Sequence, residues 1–64
     1  MRLKRLAGNC FDGTCPTLYE TDRGTIVVQG YLVDGAQVAD AGVVLGDGEA
    51  LVEIPAELLA RAHD

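Results

Sequence analysis

The 64-residue sequence contains few of the side chains that build a large core. It has no Trp, and its large rings are limited to Phe11, Tyr19 and Tyr31, so the core must be built from aliphatic side chains. A chain of this length buries only about 60% of the surface that its unfolded form exposes. We therefore expect one small domain spanning residues 1–64, with the low stability that is typical of this size.

Residues for catalysis are also scarce. The only imidazole, that of His63, stands at the penultimate position, where backbones are usually mobile, and it suits a helix C-terminus better than an acid–base pair. The ten carboxylates are scattered through turns and polar faces, and a domain this small has little room for a deep cleft. No Gly-rich phosphate loop ending in Lys-Ser/Thr is present. The sequence predicts a non-enzymatic protein with no cofactor.

Long apolar runs are missing as well. None approaches the roughly 20 residues that span a bilayer. Charged residues interrupt the first six positions, which argues against a secretory signal. We expect a cytoplasmic protein that does not contact a membrane.

Basic residues are few and lie mostly at one end. The net charge is −5, and Arg2, Lys4 and Arg5 supply three of the five positive charges, so residues 6–64 carry +2 and −10, a net −8. Nucleic-acid affinity comes largely from Lys and Arg, which displace counterions from phosphates. Direct binding to nucleic acid is therefore not expected, unless the basic N-terminal segment provides it.

The residues that are present favour β-structure. Hydrophobic residues make up 48% of the chain, and glycines divide it into pieces of about ten residues, a spacing typical of short strands joined by tight turns. The clearest hairpin joins residues 17–20 to residues 25–33 through a turn ending at Gly24. The alternation of residues 1–6 favours an edge strand. The predicted fold class is α+β, a small antiparallel sheet of hairpins with a short C-terminal helix.

Strand 25–33 is partly apolar on both faces, since Ile26, Val28 and Leu32 point one way and Val27, Tyr31 and Val33 the other. A strand of this kind is either central in the fold or covered by a second molecule. A chain this short has little material for two covering layers. A homodimer is one way to cover both apolar faces of this strand.

The second half of the chain is less clearly patterned. Residues 36–41 fit a single helical turn but are too few to assign. Residues 43–45 and 49–54 flank a Gly-Asp-Gly turn and predict a second hairpin. Pro55 suits the first position of a helix over residues 56–62. Such a short helix must dock an apolar stripe, here Leu58 and Leu59, onto the sheet.

Cys10 and Cys15 are the candidate metal ligands. Their four-residue gap is compatible with half of a zinc site, which a dimer would complete with two thiolates from each chain. The alternatives are two thiols that pin a loop by packing and a reversible disulfide. In a reducing cytoplasm a stable structural disulfide is not expected.

Tyr19, Arg23 and Tyr31 are the candidate interaction residues, because Tyr and Arg are enriched in protein-interface hot spots. The two tyrosines flank the first predicted turn. Exposed on one face they would form a contact patch, and buried they would be core tyrosines whose hydroxyls reach solvent.

Two segments resemble known families. Cys15–Tyr31, read with Gly48–Leu59, resembles small acidic actinomycete proteins of unknown function encoded beside helix-turn-helix regulators. This resemblance implies an accessory protein that binds a DNA-binding regulator. The nine residues Leu-Val-Glu-Ile-Pro-Ala-Glu-Leu-Leu at 51–59 resemble the strand-Pro-helix element of AbrB- and MazE-type swapped-hairpin dimers, which include DNA-binding antitoxins. Glu53 departs from that pattern, because those DNA binders tend to carry a basic residue there.

Three functions follow as hypotheses. The first is a non-enzymatic protein–protein interaction module, with a possible homodimer, that modulates a helix-turn-helix transcription regulator. The second is a swapped-hairpin DNA-binding or antitoxin-like dimer, in which Arg2, Lys4, Arg5 and Arg23 contact phosphates. The third is a small zinc-stabilised domain that uses Cys10 and Cys15.

Overall fold

The computed structural model describes residues 1–10 and 13–62, and it contains two small antiparallel sheets and two short helices. Along the chain these are β1 (Leu3–Gly8), β2 (Thr17–Thr21), β3 (Ile26–Gln29), β4 (Tyr31–Leu32), α1 (Gly35–Asp40), β5 (Val52–Glu53) and α2 (Glu57–Ala62). The predicted α+β class, with antiparallel hairpins and a short C-terminal helix, is confirmed. The interpretations of Phe11 and His63 concern positions outside the described residues.

The larger sheet has the strand order β1-β2-β3. Its β2-β3 hairpin is the one that the sequence predicts, and its register pairs Glu20 with Ile26. The hairpin closes where the Thr21 N–H donates to the Thr25 carbonyl at 2.9 Å. Gly24 follows the tightest part of the turn with a φ of 77°, a conformation that residues with a Cβ rarely adopt.

The N-terminal segment forms the edge strand that its alternation favours. β1 pairs antiparallel with β2, placing Lys4 opposite Glu20, and its register shifts by one residue between Arg5 and Ala7. A bulge of this kind bends the strand and puts consecutive side chains on one side. Here it allows both Leu6 and Ala7 to contribute to the apolar side of the sheet.

Helix α2 packs over β1 and β2. Leu58 is fully buried and forms the core with Ala7 and Leu18, as a two-turn helix requires for stability. Arg61 adds a hydrogen bond from its guanidinium Nη2 to the Gly8 carbonyl. Leu59 does not dock as predicted and remains 57% exposed. Adjacent side chains of a helix point in different directions, so only one of the two leucines faces the core.

The beginning of α2 also differs from the prediction. Pro55 and Ala56 precede the helix, which starts at Glu57. The Leu58 and Leu59 N–H groups donate to the Pro55 and Ala56 carbonyls at 3.1 and 3.2 Å. These three-residue hydrogen bonds make a tight entry turn, in which Pro55 loses nothing by lacking an N–H.

The predicted long strand over residues 25–33 ends early. It breaks at Gly30 into β3 and β4, and β4 leaves the larger sheet to pair with β5. The reason is a close backbone approach, since a Cβ at Gly30 would lie 2.6 Å from the Glu53 carbonyl oxygen. Only glycine fits where β5 approaches the chain, so this position divides the strand.

The second predicted hairpin is wrong. Residues 43–45 form no strand, and β5 pairs with β4 instead. The Gly-Asp-Gly segment still turns: the Glu49 N–H donates to the Gly46 carbonyl at 3.1 Å, and the Gly46 N–H donates to Glu49 Oε1 at 2.6 Å. β5 forms its hydrogen bonds with β4. Val44 belongs to no strand and is 94% exposed.

The segment left unassigned in the sequence is α1. Asp34 caps it, with Oδ1 accepting a hydrogen bond of 2.8 Å from the Gln37 N–H, and the helix ends before Gly42, which has a φ of 77°. Val38 is its buried residue. Within the described ranges, neither helix is long and apolar enough to cross a membrane.

Candidate functional site

The two faces of the larger sheet differ in polarity. Leu18 and Val28 form a cross-strand pair, next to the pair of Glu20 and Ile26, so β2 and β3 present these side chains on the face that α2 covers. The opposite face carries the alternate residues, among them Tyr19 and Gln29.

The covered face is closed over only part of its width. Helix α2 packs against β1 and β2 and leaves β3 open, so that Ile26 is 56% exposed and Val28 is 39% exposed. A groove of about 290 Å³ lies between α2 and β3. Its lining, which we call the apolar groove, consists of Leu6, Leu18, Ile26, Val28, Ile54, Leu59 and Ala62. The hydrophobic core of the sheet therefore continues to the surface.

The opposite face is closed by hydrogen bonds. The Tyr19 hydroxyl donates to Gln29 Oε1 at 3.1 Å, and Gln29 Nε2 donates to the Gly13 carbonyl at 2.8 Å. Thr17 is buried, and its hydroxyl donates to the Cys15 carbonyl at 2.8 Å. No buried side-chain nitrogen or oxygen of the described residues lacks a hydrogen-bond partner. The buried polar side chains of this face are therefore satisfied internally.

The three candidate interaction residues lie in different settings. Tyr19 is half-buried in the larger sheet, whereas Tyr31 is 65% exposed in the smaller one. Arg23 is exposed in the β2-β3 turn, with its Nη2 at 3.0 Å from Met1 Sδ. Of the two tyrosines, Tyr31 is the one that is mostly exposed.

Cys10 and Cys15 are joined by a disulfide with a Cα–Cα distance of 5.8 Å. Of the alternatives for these two residues, the structure contains the disulfide and not two packed thiols; Gly13, with a φ of 85°, lies between the two cysteines. Neither sulfur is a thiolate in this form, so the zinc prediction applies to the reduced protein. The described residues contain no cluster of three or more His, Cys, Asp or Glu that could hold a metal ion.

The acidic charge is concentrated in one region. Residues 31–53, which we call the acidic arm, contain β4, α1 and β5 and carry five carboxylates with no Lys or Arg. Residues 1–30 carry four basic and three acidic side chains. The arm also exposes large apolar side chains, namely Tyr31, Leu32, Val43, Val44, Leu45 and Val52. Acidic and apolar groups thus share one poorly buried segment.

The basic N-terminal residues lie beside acidic ones. A shallow pocket of about 260 Å³ between the ends of β1 and β2 is lined by Arg2, Leu3, Lys4, Glu20, Thr21 and Asp22. Two of its side chains are basic and two are acidic. The positive charge of Arg2 and Lys4 is therefore partly offset where they lie.

Sequence reasoning missed the apolar groove. Alternation correctly placed Ile26 and Val28 on one face, but Leu6 and Ile54 join them only through the bulge in β1 and the entry turn to α2. The available signal was helix length, because six residues are too few to cover three strands.

Comparisons of the chain with protein-family models, curated proteins and solved structures find no match.

Proposed function

We propose that this chain is a non-enzymatic protein–protein interaction module whose acidic arm binds a basic protein, such as a helix-turn-helix transcription regulator. The observation that carries the proposal is the arm itself, which combines five carboxylates, no basic residue and six exposed large apolar side chains within 23 positions. Exposed apolar side chains mark a protein–protein interaction site where they lie together in one patch.

The charge of the arm restricts the kind of partner. A segment with a net charge of −5 repels phosphates and attracts Lys- and Arg-rich surfaces, and DNA-binding domains carry such surfaces. Charge of this kind mainly accelerates encounter and selects among partners. The exposed ring of Tyr31 and the side chains of Leu32 and Val44 would supply the contact area.

The test neutralises charge without disturbing the fold. Asp34 caps α1 and Glu49 holds its turn, so these two carboxylates are left unchanged. The variant Asp40→Asn/Asp47→Asn removes two exposed negative charges from the arm. Its matched control, Glu20→Gln/Asp22→Asn, makes the same charge change on the β2-β3 hairpin.

Wild-type protein and both variants are immobilised to capture partners from the source cells, and each enriched protein is then purified and titrated. We expect a DNA-binding protein that loses about tenfold or more in affinity for the arm variant, keeps its affinity for the control and binds more weakly as salt rises. A partner with no basic surface, or equal losses for both variants, contradicts the proposal.

The same proteins are titrated with duplex DNA at low salt. If wild-type protein binds duplex DNA directly, and loses this binding when Arg2, Lys4 and Arg5 are changed to Gln, the DNA-binding alternative replaces the present proposal.

A further inference from the structure

We propose that two copies of this chain pair through the free edge of β3, so that their apolar grooves join into one buried surface. This inference concerns the side of the molecule formed by β3 and α2, and it does not rest on the function proposed for the acidic arm.

The two edges of the larger sheet are not alike. β1 carries Lys4 and Arg5, and charges on an edge strand oppose pairing with another chain. β3 has the sequence Ile-Val-Val-Gln, with neither charge nor Pro, and no strand of the described residues pairs with its outer edge. Only β3 is therefore an open template for a further strand.

The hairpin register shows which backbone groups are free. Because the Thr21 N–H donates to the Thr25 carbonyl, this pair is hydrogen-bonded, and the bonded pairs recur at every second residue of an antiparallel ladder. Val27 and Gln29 then face β2, and the N–H and C=O groups of Ile26 and Val28 point outward. The free backbone groups belong to the same two residues whose side chains line the groove.

One register satisfies all of these groups at once. A two-fold axis at Val27 places Ile26 of one copy opposite Val28 of the other, and each pair exchanges two hydrogen bonds. The result is a six-stranded antiparallel sheet. The exposed side chains of Ile26 and Val28 lie on one face in both copies, so the two grooves meet across the new strand pair.

The single chain exposes more surface than a compact monomer of its mass. It exposes 4918 Å², against about 3,900 Å² for a compact monomer of its mass. Its radius of gyration is 13.1 Å, against about 11 Å for a compact domain of 64 residues. The chain therefore leaves more surface open than a small domain usually does, and the exposed side chains of Ile26, Val28 and Leu59 beside the free edge are part of it.

The first experiment compares two lysine pairs by sedimentation velocity over a range of concentrations. Ile26→Lys/Val28→Lys puts charges on the free edge, and Leu32→Lys/Val44→Lys puts the same charges at more exposed positions of the acidic arm. We expect wild-type protein and the arm variant to sediment at twice the 6.7 kDa of one chain. The edge variant should sediment as a monomer that keeps its circular dichroism spectrum.

A second variant tests the register and does not depend on weakening the sheet. In the proposed pair, Val27 lies opposite Val27 of the partner at a non-hydrogen-bonded position, where Cα atoms are about 4.5 Å apart, within disulfide reach. Val27→Cys should form an intermolecular disulfide under mild oxidation. Val44→Cys, although its site is 94% exposed, should not do so at the same concentration.

Three outcomes overturn the inference. They are a wild-type monomer at every concentration, a dimer that persists in the edge variant, and cross-linking of Val44→Cys but not of Val27→Cys. The first would leave the groove to another protein, and the second would point to a different interface, such as a swapped hairpin. Binding of the basic partner by the acidic arm is measured separately, so either proposal can fail alone.

Discussion

The larger sheet and the acidic arm are both rich in Val, Leu and Ile, yet they bury these residues to different extents. Ala7, Leu18 and Leu58 form a core in the sheet, whereas Val38 is the one buried hydrophobic residue among the described residues of the arm. The sheet gains its core because α2 packs across two strands. Helix α1 makes no comparable contact with a strand. Apolar composition therefore leads to burial only where an element is placed to cover it.

Charge separates the two regions in the same way. The arm holds half of the ten acidic residues and none of the five basic ones. Its carboxylates repel one another, and this weakens any tendency of the arm to pack more tightly. The sheet provides most of the core, and the arm is left exposed.

The largest expected effect tests whether the sheet holds the core. Leu58→Ala removes the fully buried side chain beneath α2 and should cost about 2–5 kcal/mol. That is most of the stability of a domain this small. Urea denaturation followed by circular dichroism, at a fixed protein concentration, measures the loss.

The control is Leu32→Ala in the arm, which changes the same side chain at a position that is 73% exposed. It should alter the free energy of unfolding by no more than about 0.5 kcal/mol. Similar losses for the two variants would show that the arm contributes to the core as much as the sheet does.

A smaller effect is expected at the junction of the two regions. In Gly30→Ala the new methyl group would lie against the Glu53 carbonyl, and relieving this contact should cost about 1–3 kcal/mol. The damage should be local to β4 and β5. Amide exchange of Val33, whose N–H donates to the Leu51 carbonyl at 3.0 Å, should accelerate more than that of Thr21 in the sheet.

Gly35→Ala is the matched control for this substitution. A Cβ at Gly35 meets no atom within 4 Å, and the residue lies in the first turn of α1. Gly35→Ala should leave the amide exchange rates of Val33 and Thr21 nearly unchanged. If Thr21 responds to Gly30→Ala as strongly as Val33, the two regions unfold together and the distinction between them fails.

The smallest effect is expected from the disulfide. Replacing both cysteines in Cys10→Ser/Cys15→Ser opens a loop of only six residues, so the loss should be at most about 2 kcal/mol. Because the Cys15 and Gly13 carbonyls accept hydrogen bonds from Thr17 and Gln29 of the larger sheet, exchange at Thr21 in that sheet should rise while that at Val33 stays constant. A change at Val33 alone would contradict this assignment.

The zinc prediction is tested by native mass spectrometry of reduced wild-type protein mixed with Zn²⁺. With two thiolates per chain, a four-thiolate site requires one ion for two chains. Zinc bound in that ratio and removed by chelator would support it, and an unchanged mass would exclude it.

Local signals predicted the parts of the fold that depend on neighbouring residues. Gly24 at the β2-β3 turn, the alternation in β1 and the helix formers after Pro55 were sufficient to predict the hairpin, an edge strand and α2. The prediction of a second hairpin failed because its turn was real, but residues 43–45 form no strand and β5 pairs with β4. A turn signal identifies a reversal of the chain and does not identify the partner of the strand that follows.

The candidate sites divide in the same way. The acidic character of the chain was evident from composition. Cys10 and Cys15 were predicted as metal ligands, with a reversible disulfide as one alternative, and the structure contains the disulfide. The concentration of acid in the arm could have been counted. The apolar groove could not have been found by counting residues, because it depends on how far α2 extends over the sheet.

The sequence by itself determined the α+β class and the first hairpin, since these follow from contacts between near neighbours. Its composition determined the scarcity of aromatic side chains and the excess of acidic over basic residues. Only the tertiary structure decided that the strand divides at Gly30, that β5 pairs with β4, and that Ile26 and Val28 remain open at a free edge. The physical reason is that pairing and burial depend on which distant segments reach each other. Short elements with similar apolar patterns do not encode that choice locally.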